Sequence, residues 1–457
     1  MKKLFKGLAM LLAALMVFTA VPVKAADSFQ EEKTGIKLSV YTEEWFQNWE
    51  GISNVSQFKG SNGSYWFAYY DEKAGDDVVH VIKTKGGVVQ PGEVKLKLKY
   101  PYFGGITVDS EGYFYVVTGA MGDDESDKSK TVFITKYDKK GKAVKSVGDN
   151  GSLSLSKQYG TSFYTDKPFD SGNCEIAING NLLSVYYSRH TYGGKQCDGI
   201  FTINKNTMKS VNVGSSYNTH SFAQRVISYK KGFVYMSEGD IQNRAFTMSK
   251  YNGSSKTLKT ADVFHFWAEP NLYDKNSFAA LANNYAHLGN IVNISNKKVA
   301  LVGTSAKSLN SKAKSQIEQL FIQIFDPDAK LSSKSAYTTK GERKGKSGKN
   351  GDENVTDYGV QWLTSYTKGY RIMNPQAVIT KKGKIVILYE LYKDRKFKSL
   401  DYMVLSKTGK VLSAPAKLSS TAMLNADEMP VAIGESVYWT ANRTDSKALY
   451  VYKLTIK

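Results

Sequence analysis

Apolar and polar positions alternate along this chain in short runs broken by polar turns, and two kinds of paired run recur. The first is an apolar run, a turn usually carrying Gly or Asn, and a second run rich in β-branched and aromatic residues. It appears as SQFKGSNGSYWFAYY (56–70), GGITVDSEGYFYVV (104–117), EIAINGNLLSVYY (175–187), QRVISYKKGFVYM (224–236), NIVNISNKKVALVG (290–303), PQAVITKKGKIVILYE (375–390) and MPVAIGESVYWTA (429–441). Period-two alternation fits a half-buried strand, and two such runs around a turn of this kind predict a β-hairpin. The second kind follows each hairpin after a variable loop: VVHVIKTKGGVVQ, TVFITKYDKKGKAVK, GIFTINKNTMKSV, AFTMSKYNGSSKTLKT, LFIQIFDPDAKLS, YMVLSKTGKVLS and ALYVYKLTIK. Its turns are built on Lys and Gly, as at Gly141 and Gly409.

Two hairpins make four strands, and the unit recurs at a mean spacing of about 60 residues, seven times in all. The chain therefore resembles an all-β, seven-bladed β-propeller of four-stranded antiparallel blades, spanning 27–457 as a single domain. Radial packing gives each blade a neighbour on both faces, and a closed ring needs no end caps. The last repeat stops after its third strand, so GIKLSVYTEE (35–44) is expected to supply the fourth and lock the ring. The resemblance is one of architecture. The Trp-Asp ending of WD40 repeats, the Ser-x-Asp-x-Gly-x-x-Trp box of sialidases and the regular Gly-Gly pair of kelch repeats are all missing, and the Asp-x-x-Gly turn of NHL-type propellers is matched once, in VDSEGYFYVV (108–117). Fold analogy of this kind says little about function.

The amino terminus changes the expected address. Lys2, Lys3 and Lys6 precede an apolar stretch from Leu8 to Val21 and then small residues at Ala25 and Ala26, the order of a secretory signal peptide over 1–26. Roughly 14 apolar residues are short of the ~20 a membrane span needs, so no transmembrane segment is expected in the mature chain. No Cys follows that stretch, and no wall-sorting tail ends the sequence. The expected location is secreted, extracellular or associated with the cell envelope. The formal charge of +20 stays strongly positive once the leader lysines are gone. Export makes nucleic acid a poor partner, which leaves teichoic acids, anionic lipid headgroups and acidic polysaccharides, or else lysines that only solubilise a Tyr-rich β-surface.

In a propeller, the loops entering the first strand of each blade share a face with those joining the second and third strands, and that face is the default binding surface. Its expected lining is Asn173, Glu175, Gln224, Arg225, Asn290, Asn374 and Gln376, with His220 and His287 just upstream of their hairpins. The loop YYSRHTYGGKQCDG (186–199) adds Arg189, His190 and Tyr192 as exposed candidates. Such a set of His, Tyr and Arg could abstract a proton beside a carboxylate, with Arg neutralising the acid, or only hold a sugar. Cys174 and Cys197 bracket this loop, and an even pair in an exported chain favours a disulfide that would pin its base. Asp123, Asp124, Glu125 and Asp127 crowd one loop but lack the alternating order of a calcium loop. No His spacing suits zinc, and neither a phosphate loop nor a Gly-x-Ser-x-Gly elbow occurs, so no cofactor is expected. An insertion at 338–362 has a basic half, Lys340 to Lys349, expected to be mobile, followed by Tyr358, Trp362 and Tyr366 as core residues or glycan platforms.

Three functions follow as expectations: a non-catalytic propeller binding a glycan or anionic envelope polymer around the central channel; a polysaccharide lyase using His190 or His220, Tyr192 and Arg189 or Arg225; and an extracellular docking platform for a protein partner.

Overall fold

The computed structural model describes residues 27–38, 51–124, 126–154, 162–170, 172–191, 195–214, 218, 221–239, 244–266, 286–309, 317–347, 353–443 and 446–457. Seven small antiparallel sheets follow one another as blades 1 to 7, and the chain is a seven-bladed β-propeller. The seven innermost strands are Val55–Lys59, Tyr102–Val108, Cys174–Asn179, Ser221–Tyr229, Ala286–Ser295, Tyr370–Ile379 and Val431–Ile433. Each lies beside the next around the channel, and the last lies beside the first. Every predicted hairpin coincides with a first and second strand.

The alternation has a plain cause. Both faces of a blade are buried against neighbours, and an apolar cluster fills each of the seven interfaces among the described residues. On blade 1, Trp66, Ala68 and Tyr70 face Phe103 and Phe114 of blade 2, whereas Tyr65 and Phe67 face Tyr438 and Val451 of blade 7. Period two thus delivers successive side chains to two different interfaces.

The ring is closed by Ser28–Lys37, which pairs antiparallel with Ser446–Thr455 as the outermost strand of blade 7, from Ser28 opposite Thr455 to Lys37 opposite Ala448. The closing strand thus starts at Ser28 rather than at Gly35, and positions 39–44 lie outside the described residues. Phe29 sets this register by stacking on both Trp439 and Tyr452, with ring centroids 6.1 Å from each. Arg443 reaches Glu31 at 2.9 Å, and Asp27 accepts the Lys457 N–H at 2.9 Å.

The insertion is not loop throughout. Glu342–Ser347 and Glu353–Tyr358 pair as a hairpin, and Gln361–Trp362 completes blade 5. Arg343 is its anchor: among the described basic residues of this half it alone is buried, donating to Asp357 from Nε (3.1 Å) and Nη2 (2.7 Å) and stacking on Phe264 of blade 4. Asp357 also meets His265 of blade 4, 2.6 Å from Nδ1.

Candidate functional site

An innermost strand has no strand partner on its channel side, so its backbone groups need other partners. Side-chain amides supply them from blade to blade. Asn173 and Gln224 exchange bonds between blades 3 and 4: the Gln224 N–H donates to Asn173 Oδ1 at 2.7 Å, and Asn173 Nδ2 donates to the Gln224 carbonyl at 3.0 Å. Asn290 Nδ2 donates to the Ala377 carbonyl of blade 6 at 2.7 Å, and Gln376 donates to the Asn425 carbonyl leading into blade 7. Asn425 reaches Ser53 at 2.7 Å, and Gln57 of blade 1 accepts the Thr440 N–H of blade 7 at 2.8 Å. The amides expected to hold a ligand are engaged in holding the ring. Asn374, at φ +48°, donates to Glu390 at 3.0 Å.

The charged residues at the mouth make a different kind of site. Glu175 of blade 3 and Asp427 and Glu428 of the loop entering blade 7 lie within electrostatic reach of one another. Arg225 stands 3.5 Å from Glu175, and it also donates to the carbonyls of Gly289 (2.7 Å) and Gln224 (2.9 Å). Asp427 accepts the Gly51 N–H at 2.8 Å. Burial pushes Glu175 up to about 7 against the pull of Arg225, and pushes Asp427 up to about 6. Burial, reinforced by the charge of Glu175, holds Glu428 well above the usual carboxylate range. Burial thus keeps Glu428 and part of Glu175 protonated at pH 7, and with Arg225 beside them the mouth holds far less negative charge than three carboxylates would.

The loop of blade 3 departs from expectation. Arg189 is buried, not exposed: Nε donates to the Asp198 carbonyl at 2.8 Å, and Nη1 donates to Thr165 Oγ1 at 3.1 Å and to the Gly151 carbonyl, fastening the chain between blades 2 and 3. His190 Nδ1 is 2.7 Å from Asp166. Tyr192 and His220 lie outside the described residues. Cys174 and Cys197 are both free and buried, so the expected disulfide is absent. Register explains this. Cys174 is opposite Tyr187 and Cys197 opposite Arg189, on strands separated by that of Tyr187 and Arg189. Two strand spacings across and two residues along put the cysteines roughly 12 Å apart, beyond the ~7 Å limit between Cα atoms of a bridged pair.

His287 is also buried, 3.5 Å from Glu318, and desolvation lowers it to about 4, so it is neutral at pH 7. In the crowded acidic loop, Asp124 accepts the Ser126 N–H at 2.7 Å, and Asp127 those of Ser129 (2.8 Å) and Asp123 (3.2 Å); Glu125 lies outside the described residues. No group of three or more metal-ligating side chains occurs among the described residues.

Exposed lysines recur in the turns on the face of the disc away from the mouth, where Glu111 and Asp328 are the exposed acids among the described turn residues. Antiparallel topology sends the turns between first and second strands, and between third and fourth, to the face away from the mouth. There the turns carry exposed lysines in series: Lys139, Lys140 and Lys142 on blade 2; Lys230 and Lys231 on blade 4; Lys297 on blade 5; Lys381, Lys382, Lys407 and Lys410 on blade 6. On the mouth side, the turns between second and third strands are mixed: Asp71, Glu72, Asp76 and Asp77 stand with Lys73 on blade 1, Asp123, Asp124 and Asp127 with Lys128 and Lys130 on blade 2, and Asp394 with Lys393, Arg395 and Lys396 on blade 6. The Lys-Gly turns were visible in the sequence as hairpin signals, but their gathering on one face needed the topology.

No protein-family model and no curated protein matches the chain. Among solved structures it is similar to Kuenenia stuttgartiensis hydrazine synthase (13% identity over 89% of this chain and 98% of that one, TM-score 0.45). It is also similar to a protein of unknown function from Dyadobacter fermentans (10%, 94% and 99%, 0.39) and to Trypanosoma rangeli sialidase in complex with the inhibitor DANA (12%, 82% and 59%, 0.40). At such identities no ligand or activity transfers from one protein to another.

Proposed function

We propose that this chain is an exported, non-catalytic propeller that binds an anionic polymer of the cell envelope, and that it does so through the lysine-bearing turns rather than the channel mouth. One observation carries the reading: the far-face turns of blades 2, 4, 5 and 6 expose lysines in series, against Glu111 and Asp328 as the exposed acids of those turns, whereas the mouth-side turns mix acids and bases. Lysine is a compact, hydrated charge on a flexible stem, suited to a phosphate or carboxylate chain without fixed geometry. A lyase is less well supported, because Arg189 is enclosed and Arg225 is committed to Glu175 and two carbonyls.

Polyphosphate and polygalacturonate serve as probes in a titration followed by fluorescence anisotropy. Binding that weakens steeply between 0.05 and 0.5 M salt and falls about tenfold or more in K139E/K140E/K142E is expected, since exposed charges are screened beyond ~10 Å at 0.1 M. Binding that is unchanged in that variant but strengthened several-fold in E175Q, which frees Arg225 of its counter-charge, would return the site to the mouth. A rise in absorbance near 235 nm with a uronate polymer would make the protein a lyase and end the reading.

A further inference from the structure

The lysine face is not only charged. Six large apolar side chains are exposed among the described residues, and four of them, Val88 (50%), Val144 (56%), Val411 (41%) and Leu412 (47%), stand at the rim of this face. They share one cause of position, since each outermost strand begins where its turn leaves the lysine face. Val88 follows the turn at Gly86 and Gly87 on blade 1, Val144 follows the Asp138–Lys142 turn on blade 2, and Val411 and Leu412 follow the Ser406–Lys410 turn on blade 6. Blades 6, 7, 1 and 2 are consecutive around the ring, so these aliphatics occupy one arc rather than the whole circumference. Within that arc Asp138 caps its own turn, accepting the N–H groups of Lys140 and Lys142 at 2.9 Å each, Glu435 accepts the Lys382 N–H at 2.8 Å and the Thr380 hydroxyl at 3.0 Å, and the exposed Glu111 stands 3.9 Å from Lys205, so the lysines outnumber the acids there.

We infer that this arc is a membrane-docking face, which seats on an anionic lipid bilayer with its lysines at the headgroups and Val88, Val144, Val411 and Leu412 at the acyl boundary. The inference rests on the polyanion reading above and names the form in which the polyanion is met. A soluble polymer rewards lysines but offers nothing to an exposed aliphatic group, which stays hydrated against a hydrated chain. A bilayer rewards both, because charge draws the face to the surface and apolar side chains leave water at the boundary. Lysine rather than arginine also suits a surface of mobile headgroups, where no fixed fork of acceptors waits.

Purified protein freed of its leader is sedimented with vesicles of phosphatidylcholine alone or with 30% phosphatidylglycerol, and in parallel titrated with soluble polyphosphate. Sedimentation only with the anionic vesicles is expected, together with an about tenfold weaker vesicle affinity in V144S/V411S/L412S and unchanged polyphosphate binding. These positions are already exposed, and circular dichroism melting checks that the variant keeps the wild-type fold. Equal vesicle binding by the serine variant and the wild type overturns the docking mode. Polyphosphate binding without vesicle binding overturns the inference and leaves the polyanion reading standing. Binding to neither overturns both.

Discussion

Replacing Asp357 by alanine removes the carboxylate that ties the 342–358 hairpin to the propeller. Asp357 is fully enclosed, accepts two bonds from Arg343 and meets both the backbone N–H (3.1 Å) and Nδ1 (2.6 Å) of His265. Arg343 is itself almost wholly buried, so the alanine variant leaves a guanidinium in the interior without its counter-charge. Stranding one partner of a buried pair costs about 3–5 kcal/mol. The bonds from Arg343 to the carbonyls of Ala306 and His265 remain and favour the lower end of that range. Amide hydrogen exchange over Arg343–Ser347 reads the local cost, and a loss near 3 kcal/mol accelerates exchange by at least about 100-fold. The effect depends on pH with a definite sign. Burial opposes the charged His265 ring, but the bond and charge of Asp357 together outweigh it and hold the ring above its ordinary 6.5. That contribution is fully present below pH 6.5 and fades as pH rises through the raised folded value, so the deficit of D357A is larger at pH 6 than at pH 8.5. Exchange within threefold of wild type at pH 6 would refute the anchoring role.

Native protein should show no reactive thiol and denatured, unreduced protein two, measured with Ellman's reagent, because burial pushes Cys197 up to about 11 and Cys174 well above its usual range; a count of zero after denaturation would restore the disulfide. Glu428→Gln should stabilise the fold by ~1–2 kcal/mol at pH 8 in urea titrations and have little effect at pH 5. A carboxyl whose folded pKa is raised is favoured below its unfolded value and penalised once pH passes the folded one, so a loss at pH 8 would contradict the crowding of Glu175 and Glu428. Gly289→Ala should destabilise by ~1–3 kcal/mol, since a Cβ there would stand 2.4 Å from the Pro375 carbonyl and 2.8 Å from that of Val302, both backbone atoms; a melting temperature within 1 °C of wild type would show that blades 5 and 6 can separate freely.

The hairpins were legible because period-two alternation and Gly-rich turns are local signals, and each blade writes them on a continuous stretch. What the sequence hid depends on partners distant along the chain. The closing strand is an outermost strand exposed on one side, so Ser28–Lys37 reads as charged chain, and only Phe29 against Trp439 and Tyr452 marks its register. Asn173, Gln224, Asn290 and Gln376 were identified as residues at the hairpin mouths, but nothing in their spacing says that a neighbouring backbone absorbs them. The cysteines bracket one loop and yet sit on strands with another between them, a separation set by sheet register rather than by distance in sequence. Arg343 looked like any member of the basic run until Asp357 was found opposite it in the hairpin.

Polarity around a propeller channel is therefore weak evidence for a ligand, because a ring of edge strands needs polar side chains merely to close. Charge distribution is better evidence, since closure does not require an excess of exposed lysines in the turns of one face. The two faces act nearly independently. Innermost strands of up to ten residues at ~3.3 Å each make the disc about 20–30 Å deep, two or more times the Debye length of ~8 Å at physiological salt. A polyanionic surface approaching the lysine turns is thus screened from Glu175, Asp427 and Glu428, and meets the local charge of that face rather than the net charge of the molecule. The same depth keeps the mouth directed away from any surface on which the lysine arc is seated, leaving that side free while the opposite face is engaged.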